Sequence, residues 1–448
     1  MGYAAENPSA NAAAFAALRD AIGASPAPTL GFLGHSIPAA GVSNTATETR
    51  NANYGMQYWV PALAGQRIRS EHSLNKAVAG ATALAAQAQI APMIAAKPNR
   101  VIVDIGRNDT SFQNFVDGVV PIYDALLGAG IAVDAIPLMP TSLTTASTRG
   151  YMQRISAWVR EQGQKGIRNF NVIDCGRDYG DPLSANFAPK SDSGNTYDNT
   201  HPAGLGGYRI SKPLAAFYRQ IYPEIVTLQG VADQYDADNF PGGNLIPNGI
   251  LDGTGGTLTT NQGVTTTGSV MATGWAMVAT TPYTGGSPLS GLTMTAAKAA
   301  LDAFGAPGQR ITFSGGYTGD VGSIFGIRWS GSGGDYAKLN VGDWVEATAE
   351  VELLGGTVQQ LLAGIQLGLF LNMGGTLYAA KDGYAVTSGL SPKEGYKVTL
   401  RTPPIQITAI PTLEQVTVYA IPTQGAQTFA ENCVFETRYV ALRKISAP

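Results

Sequence analysis

The stretch Thr29-Leu30-Gly31-Phe32-Leu33-Gly34-His35-Ser36 decides how the first half of this chain reads. A short apolar run ends in glycine and is followed at once by His and Ser. Short, nearly all-apolar runs bounded by loops predict strands buried on both faces of a parallel sheet. Arg100–Ile105 (RVIVDI), Ile131–Pro137 (IAVDAIP) and Phe170–Asp174 (FNVID) have the same form. Helical stretches lie between them. Ala79–Ala96 is alanine-rich, and Phe112–Leu127 carries apolar residues at helical spacing. Arg149–Gly163 follows Pro140 and a Thr/Ser loop, and Gly204–Tyr222 closes the half. Strand and helix in alternation predict an α/β sandwich with right-handed crossovers.

Beyond about residue 230 the periodicity changes. Asp233–Gly243 (DQYDADNFPGG) reads as a polar linker, and period-two alternation dominates after it. In Val345–Leu353 (VEATAEVEL) the odd positions are Val, Ala, Ala, Val and Leu, and the even ones are Glu, Thr, Glu and Glu. Tyr396–Thr402 (YKVTLRT) alternates in the same way. One wet face and one buried face predict an antiparallel sandwich, of roughly eight to ten strands with Gly-rich turns. Ala297–Phe304 (AKAALDAF) is too alanine-rich to read as strand. The expected organisation is an α/β domain over 1–232, a linker over 233–243 and an all-β sandwich over 244–448.

Composition narrows the class. The chain has 448 residues, enough for two or three domains, and 44% of them are hydrophobic. Only 14% are charged, against roughly a quarter in an ordinary globular protein. With 55 glycines and a Thr-rich second half, this fits extracellular or particle-associated β-rich proteins. Net charge is −3 and no Lys/Arg run occurs, so a nucleic-acid partner is not expected. No apolar run is long enough to span a bilayer. Met1–Ala17 shows no basic region leading into an apolar one, so no secretory signal is expected. Export by another route, such as lysis in a virion, then fits, and so does a cytoplasmic location. The far-separated Cys175 and Cys433 predict no structural disulfide.

Ligands and nucleophiles sit at the carboxyl ends of strands in an open α/β sheet. Ser36 stands just past such an end, although a serine there also serves as a helix cap. A serine nucleophile needs a base, for which histidine is the usual choice. The chain has three. His35 adjoins Ser36, and neighbouring side chains diverge in an extended segment. His72 lies in Arg69–Ser73 (RSEHS) with only adjacent Glu71 as an acidic orienter. His201 follows Asp198 by three positions, in Asp198-Asn199-Thr200-His201-Pro202, where one turn brings the carboxylate to the imidazole. The same sequence is also an acceptable surface Asx-turn. Gly106-Arg107-Asn108-Asp109 follows the second strand, and its Asn is placed to donate to an oxyanion or to cap the next helix. Gly80, opening a helix in Ala77–Thr82 (AVAGAT), lets a backbone N–H approach a substrate. No cluster with metal-ligand spacing, phosphate loop or dinucleotide fingerprint is present, so neither metal nor cofactor is expected.

In order and in strand context these four blocks resemble those of the SGNH (GDSL-like) hydrolases, over roughly residues 28–220. The family's nucleophile, glycine, GxND and DxxH blocks correspond to Gly34-His35-Ser36, Gly80, Gly106-Arg107-Asn108-Asp109 and Asp198-Asn199-Thr200-His201. The resemblance implies a three-layer α/β/α, flavodoxin-like fold and a serine esterase. Ser36 would be the nucleophile, His201 the base and Asp198 its orienter. The amides of Ser36 and Gly80 and the side chain of Asn108 would form the oxyanion hole. His35 departs from the family, which usually carries Asp at that place.

The second half resembles carbohydrate-binding jelly rolls in its opening, Asn244-Leu245-Ile246-Pro247-Asn248-Gly249, followed later by Gly274-Trp275. Trp275, Trp329, Trp344 and Tyr336 are candidates to stack on sugar rings, or else core residues. The expected function is a carbohydrate O-acetyl esterase acting on an acylated polysaccharide, extracellular or on a phage virion. Assembly as a homo-oligomer or into a virion is compatible with it. The alternatives are a lipid or acyl-thioester hydrolase, and an inactive structural or glycan-binding protein.

Overall fold

The computed structural model describes residues 27–141, 146–184, 187–223, 233–258, 269–280, 292–319, 324–354, 362–384, 395–423 and 425–447. The N-terminal stretch read for a secretory signal lies outside them. The four predicted strands form one parallel sheet in chain order: β1 (Leu30–Gly34), β4 (Arg100–Asp104), β5 (Ala132–Ala135) and β6 (Phe170–Val172). Between β1 and β4 lie β2 (Val42–Asn44) and β3 (Glu48–Ala52), which belong elsewhere. On the outer side of β1 the chain from Arg69 to Val78 runs parallel to it without becoming a regular strand. Leu30 donates to the Arg69 carbonyl (2.7 Å), and Lys76 and Val78 donate to Phe32 (2.9 Å) and Gly34 (3.0 Å). Counting that run as a broken strand gives the flavodoxin-like order.

Helices cover both faces. α1 (Ser36–Ala39) and α2 (Met56–Leu63) follow β1, then α3 (Ala83–Ala86), α4 (Ile90–Ala96), α5 (Phe112–Gly128) and α6 (Ala146–Gln164). α7 (Gly176–Tyr179) and α8 (Gly204–Ile221) complete the half. Pleat alternation sorts the core. Val101, Val103 and Val133 pack against Phe115, Val119 and Ile155, whereas Leu30, Phe32 and Ile102 pack against Met56, Val60 and Leu214. This is the three-layer α/β/α architecture that the family resemblance implies.

Twelve strands follow among the described residues, more than the eight to ten expected. In chain order they are β7 (Gly255–Leu258), β8 (Met271–Thr280), β9 (Leu292–Ala299), β10 (Gly308–Gly319), β11 (Ile324–Ser330), β12 (Trp344–Leu354) and β13 (Leu362–Met373). β14 (Thr376–Tyr384), β15 (Tyr396–Arg401), β16 (Ile405–Gln406), β17 (Pro411–Pro422) and β18 (Gly425–Ile445) complete the set. β7 and β16 are too short to show alternation. The alanine-rich run is strand as far as Ala299, because pairing with β10 overrides the helical preference of alanine. One sheet has the order β15-β12-β18-β10-β9, with β16 also on β12, and the other β2-β3-β14-β13-β17-β11-β8-β7. Alternation in β12 holds: Val345, Ala347, Ala349, Val351 and Leu353 all face inward. Glu346 is buried as well, because Arg401 pairs with it (Nε to Oε2, 2.7 Å).

The two halves share more than a linker. Residues 42–52 leave the α/β layer after α1 and join the sandwich, with β3 parallel to β14. Tyr58, Trp59, Leu205 and Tyr208 belong to the same apolar cluster as the sandwich interior. The Trp59 ring meets Tyr208 and Tyr396 edge to face, at 5.2 and 5.4 Å between centroids. The expected linker 233–243 is itself pinned: Asn244 donates to Asp233 (2.7 Å), and Arg443 pairs with Asp233. The Asn244–Gly249 opening has a structural task. Buried Asn244 donates to the Val440 carbonyl (3.0 Å) and accepts from Leu442 (3.0 Å), which fastens the start of the sandwich to its last strand. Trp275 and Trp329 are buried core residues, the first donating to the Asn248 carbonyl (2.9 Å), so neither presents a stacking face. Trp344 is partly buried, and the side chain of Tyr336 lies outside the described residues. Cys175 and Cys433 are free and buried, one in each half. Among the described residues no helix is long and apolar enough to cross a membrane.

Candidate active site

Ser36 is the first residue of α1, immediately beyond β1. Gly34 makes this approach feasible. Its φ is +143°, and a Cβ there would lie 1.9 Å from the Asp104 carbonyl oxygen. Only glycine lets the end of β1 sit so close to the end of β4. Gln89 then clamps Gly34 from the other side, accepting from its N–H (2.9 Å) and donating to its carbonyl (3.0 Å). His35 caps α1 by accepting from Ile37 N–H at Nδ1 (3.2 Å). With Nδ1 occupied as an acceptor, the proton of the neutral ring is on Nε2, which faces Asp104 Oδ1 at 3.3 Å. Both side chains are fully buried, and the imidazole of His35 is turned to Asp104 beneath the site.

His201 reaches Ser36 from the loop before α8. Its Nε2 is 2.8 Å from Ser36 Oγ and its Nδ1 is 2.6 Å from Asp198 Oδ2. The loop is a tight Asx-type turn. Asp198 Oδ1 accepts from the backbone N–H of Thr200 (3.0 Å) and of His201 (2.7 Å), while Asn199 takes the left-handed conformation that asparagine tolerates. Burial raises the Asp198 pKa, but hydrogen bonds from His201 and Thr200 outweigh it and hold the carboxyl below its ordinary value. Tyr197 stacks on the imidazole, 5.6 Å between centroids and 13° between planes, with half its surface exposed.

Asn108 reaches the turn that holds Gly80. Asn108 Nδ2 donates to the Ala81 carbonyl (3.1 Å), which leaves its second N–H for another acceptor. Gly80 does not open a helix as expected. It sits in an exposed turn at φ +79°, two residues before Thr82, whose Oγ1 caps α3. Asp109 is buried and accepts from Ala83 N–H through both oxygens (3.2 and 3.0 Å), which ties the GxND block back to α3. The cap of the following helix, α5, is Ser111. Gly106 has φ +117°, and a Cβ there would press on the Phe115 ring at 2.9 Å, so the turn after β4 also requires glycine.

Sequence reasoning missed three residues. Gln89 is one of two glutamines, with Gln87, in an alanine-rich run, and nothing local tells them apart. Asn75 joins the two sides of the site. Its Nδ2 donates to the Pro38 carbonyl of α1 (2.8 Å), and its Oδ1 accepts from Ala77 N–H (3.1 Å), where the Gly80 turn begins. Tyr197 precedes the DxxH block, and no spacing rule marks it.

Residues 32–209 match the GDSL-like lipase/acylhydrolase family. The first half of the chain carries a GDSL-like acylhydrolase domain. All four blocks of that domain lie inside the matched range, and His35 stands where the family's usual nucleophile block has Asp. No curated protein matches the chain. Among solved structures it is similar to a Geobacillus acetyl-xylooligosaccharide esterase, at 18% identity and TM-score 0.34, over 44% of this chain and 96% of that one. A GDSL-like lipase from Bacteroides thetaiotaomicron gives 13% and 0.33, over 46% and 97%. Carbohydrate-binding modules of the β-sandwich superfamily give 11% and 0.23, over 38% and 56%.

Proposed function

We propose that the acylhydrolase domain cleaves carboxylic esters with Ser36 as nucleophile, His201 as base and Asp198 as orienter. One observation carries this reading: a single imidazole lies within hydrogen-bond distance of Ser36 Oγ through Nε2 and of Asp198 through Nδ1. Ser36 Oγ attacks the ester carbonyl while Nε2 takes its proton. Asp198, held ionised, fixes the ring with its proton on Nδ1 and stabilises the imidazolium that forms. The oxyanion is received by the backbone amides of Ser36 and Gly80 and by the free N–H of Asn108. His201 then protonates the leaving alcohol, and water releases the acid from the acyl-enzyme by the same route.

The ester we favour is an O-acetyl group on a polysaccharide, hydrolysed outside the cell or on a virion. Low charge, many glycines and a large β-sandwich built onto the hydrolase support this setting. The test is hydrolysis of p-nitrophenyl esters from acetyl to long acyl, with release of acetate from acetylated xylan and other acetylated glycans measured alongside. Preference for acetyl is expected. Rates that stay flat or rise with acyl length would turn the reading to a lipid or thioester hydrolase. Absence of hydrolysis of every ester, equal to that of Ser36→Ala, would leave a structural or glycan-binding protein.

A further inference from the structure

Tyr197 lies nearly flat against the imidazole of His201, and the backbone brings the two together. Thr196 pairs with Pro202 in an antiparallel bridge. On one side of it Ala203 donates to the Asn195 carbonyl (3.0 Å), and on the other Tyr197 donates to the His201 carbonyl (3.2 Å). Residues 195–203 therefore make a short hairpin in which Tyr197 stands opposite His201. Opposed residues project to the same face of such a ladder, close enough for side chains to touch. The ring centroids are 5.6 Å apart and the planes differ by 13°. The base of the hairpin is fixed. Asn195 is fully buried, donates to the Lys190 carbonyl (2.9 Å) and accepts from Arg209 (3.0 Å).

The other two holds on the His201 ring lie at its edge. Nδ1 is 2.6 Å from Asp198 and Nε2 is 2.8 Å from Ser36. Two edge bonds leave the face of the ring unsupported. The Asp198 bond is also wet, because the His201 and Asp198 side chains are 24% and 42% exposed. Pairs open to water hold their geometry weakly. The Ser36 bond lasts only until Ser36 is acylated, when its oxygen has no hydrogen left to donate to Nε2. Water must then add to the acyl carbon while Nε2 takes its proton, and that proton passes to Oγ as the C–Oγ bond breaks. For this step the ring keeps one edge bond where it had two. The contact with Tyr197 does not involve Ser36, so acylation does not remove it. Burial and the nearby Asp198 carboxylate raise the Tyr197 hydroxyl above its ordinary value, so the stacked ring is a neutral phenol at neutral pH.

We propose that Tyr197 is a positioning residue that holds His201 for hydrolysis of the acyl-enzyme more than for its formation. The proposal rests on the ester-cleaving roles of Ser36 and His201. Ring stacking carries the effect, so phenylalanine should replace the tyrosine and leucine should not. Half of Tyr197 is exposed, so either replacement leaves the core intact.

Rapid mixing of the full chain with p-nitrophenyl acetate separates the two steps. The initial burst of nitrophenol reports acylation, and the later steady rate reports deacylation. In Tyr197→Leu the steady rate should fall about three- to tenfold, and KM with it, while the burst rate stays within about twofold of wild type. Tyr197→Phe should match wild type in both, and thermal midpoints report that both variants are folded. Equal losses in the two steps, or no loss in the steady rate, overturn the proposal. A loss in Tyr197→Phe as large as in Tyr197→Leu assigns the effect to the hydroxyl and overturns it too. A second measurement needs no turnover. Ser36→Ala removes the Nε2 bond, as acylation does. With ¹⁵N-labelled histidine, the Nδ1–H signal of His201 is identified by its loss in His201→Gln. It should stay sharp in Ser36→Ala and in Ser36→Ala with Tyr197→Phe, and broaden in Ser36→Ala with Tyr197→Leu. An equally sharp signal in that last protein overturns the proposal. If the wild type cleaves no ester faster than Ser36→Ala does, the ester-cleaving reading has itself failed, and the ring signal alone decides whether Tyr197 holds His201.

Discussion

The side-chain amide of Gln89 closes two hydrogen bonds on Gly34, one to its N–H at 2.9 Å and one to its carbonyl at 3.0 Å. Both groups are buried, and the next two residues are His35 and Ser36. The position of Ser36, the proposed nucleophile, is therefore held from behind by a residue of the alanine-rich stretch. Gln89→Ala leaves a buried peptide partly unsatisfied. It should cost about 1–3 kcal/mol in denaturant unfolding, with a lower kcat for p-nitrophenyl acetate. An unchanged unfolding midpoint would show that the clamp contributes nothing.

The roles proposed for Ser36, His201 and Asp198 predict a particular kinetic pattern. Ser36→Ala or His201→Ala should lower kcat by about 10⁴-fold or more, and removing both should cost little beyond either alone. Asn108→Ala should lower kcat by roughly 10²–10³-fold with KM nearly unchanged, since its free N–H would act only on the oxyanion. A change confined to KM would remove Asn108 from that role.

His35 and Asp104 make a buried pair at 3.3 Å. Placing the family's usual aspartate there, as His35→Asp, would set two carboxylates against each other without water. The cost should be about 3–5 kcal/mol, and Asp104→Asn in the same molecule should recover most of it. A His35→Asp protein as stable as wild type, measured by urea unfolding, would disprove the coupling.

Asp382 governs part of the pH dependence of stability. Burial raises its pKa to about 7, and hydrogen bonds from Arg401 and Asn51 only partly oppose this. The folded state then binds more protons than the unfolded state between about pH 4 and 7. The contribution of this group is complete below its unfolded pKa and is lost as pH rises through about 7. Asp382→Asn should therefore gain stability relative to wild type across that window, by up to about 4 kcal/mol. Unfolding midpoints of both proteins from pH 4 to 8 will show whether the curves diverge as pH rises and run parallel above about pH 7.

Trp59 binds the halves together. Its ring meets Tyr208 of the acylhydrolase domain and Tyr396 of the sandwich, and its Nε1 donates to the Asn53 carbonyl. Trp59→Ala should cost about 3–5 kcal/mol. Calorimetry of the wild type should show one unfolding transition for both halves. Two separate transitions would mean that the shared core is energetically weak.

Much of the candidate site was legible because its pieces are local. An apolar strand ending in Gly34, a turn after β4 that needs Gly106, and Asp198 with His201 in one Asx-turn each depend on a few consecutive residues, whose backbone preferences are written in their side chains. Alternation in β12 showed its inward face for the same reason. The rest depends on contacts that no local rule encodes. Ser36 and His201 meet across 165 positions only because β1 and the loop before α8 end on the same edge of one parallel sheet. Asn51 and Asp382 meet across 331, where a hairpin of the hydrolase half becomes an edge of the sandwich. No polar linker could announce that, because the apolar surface of Trp59 and Tyr208 is buried only once both halves are folded.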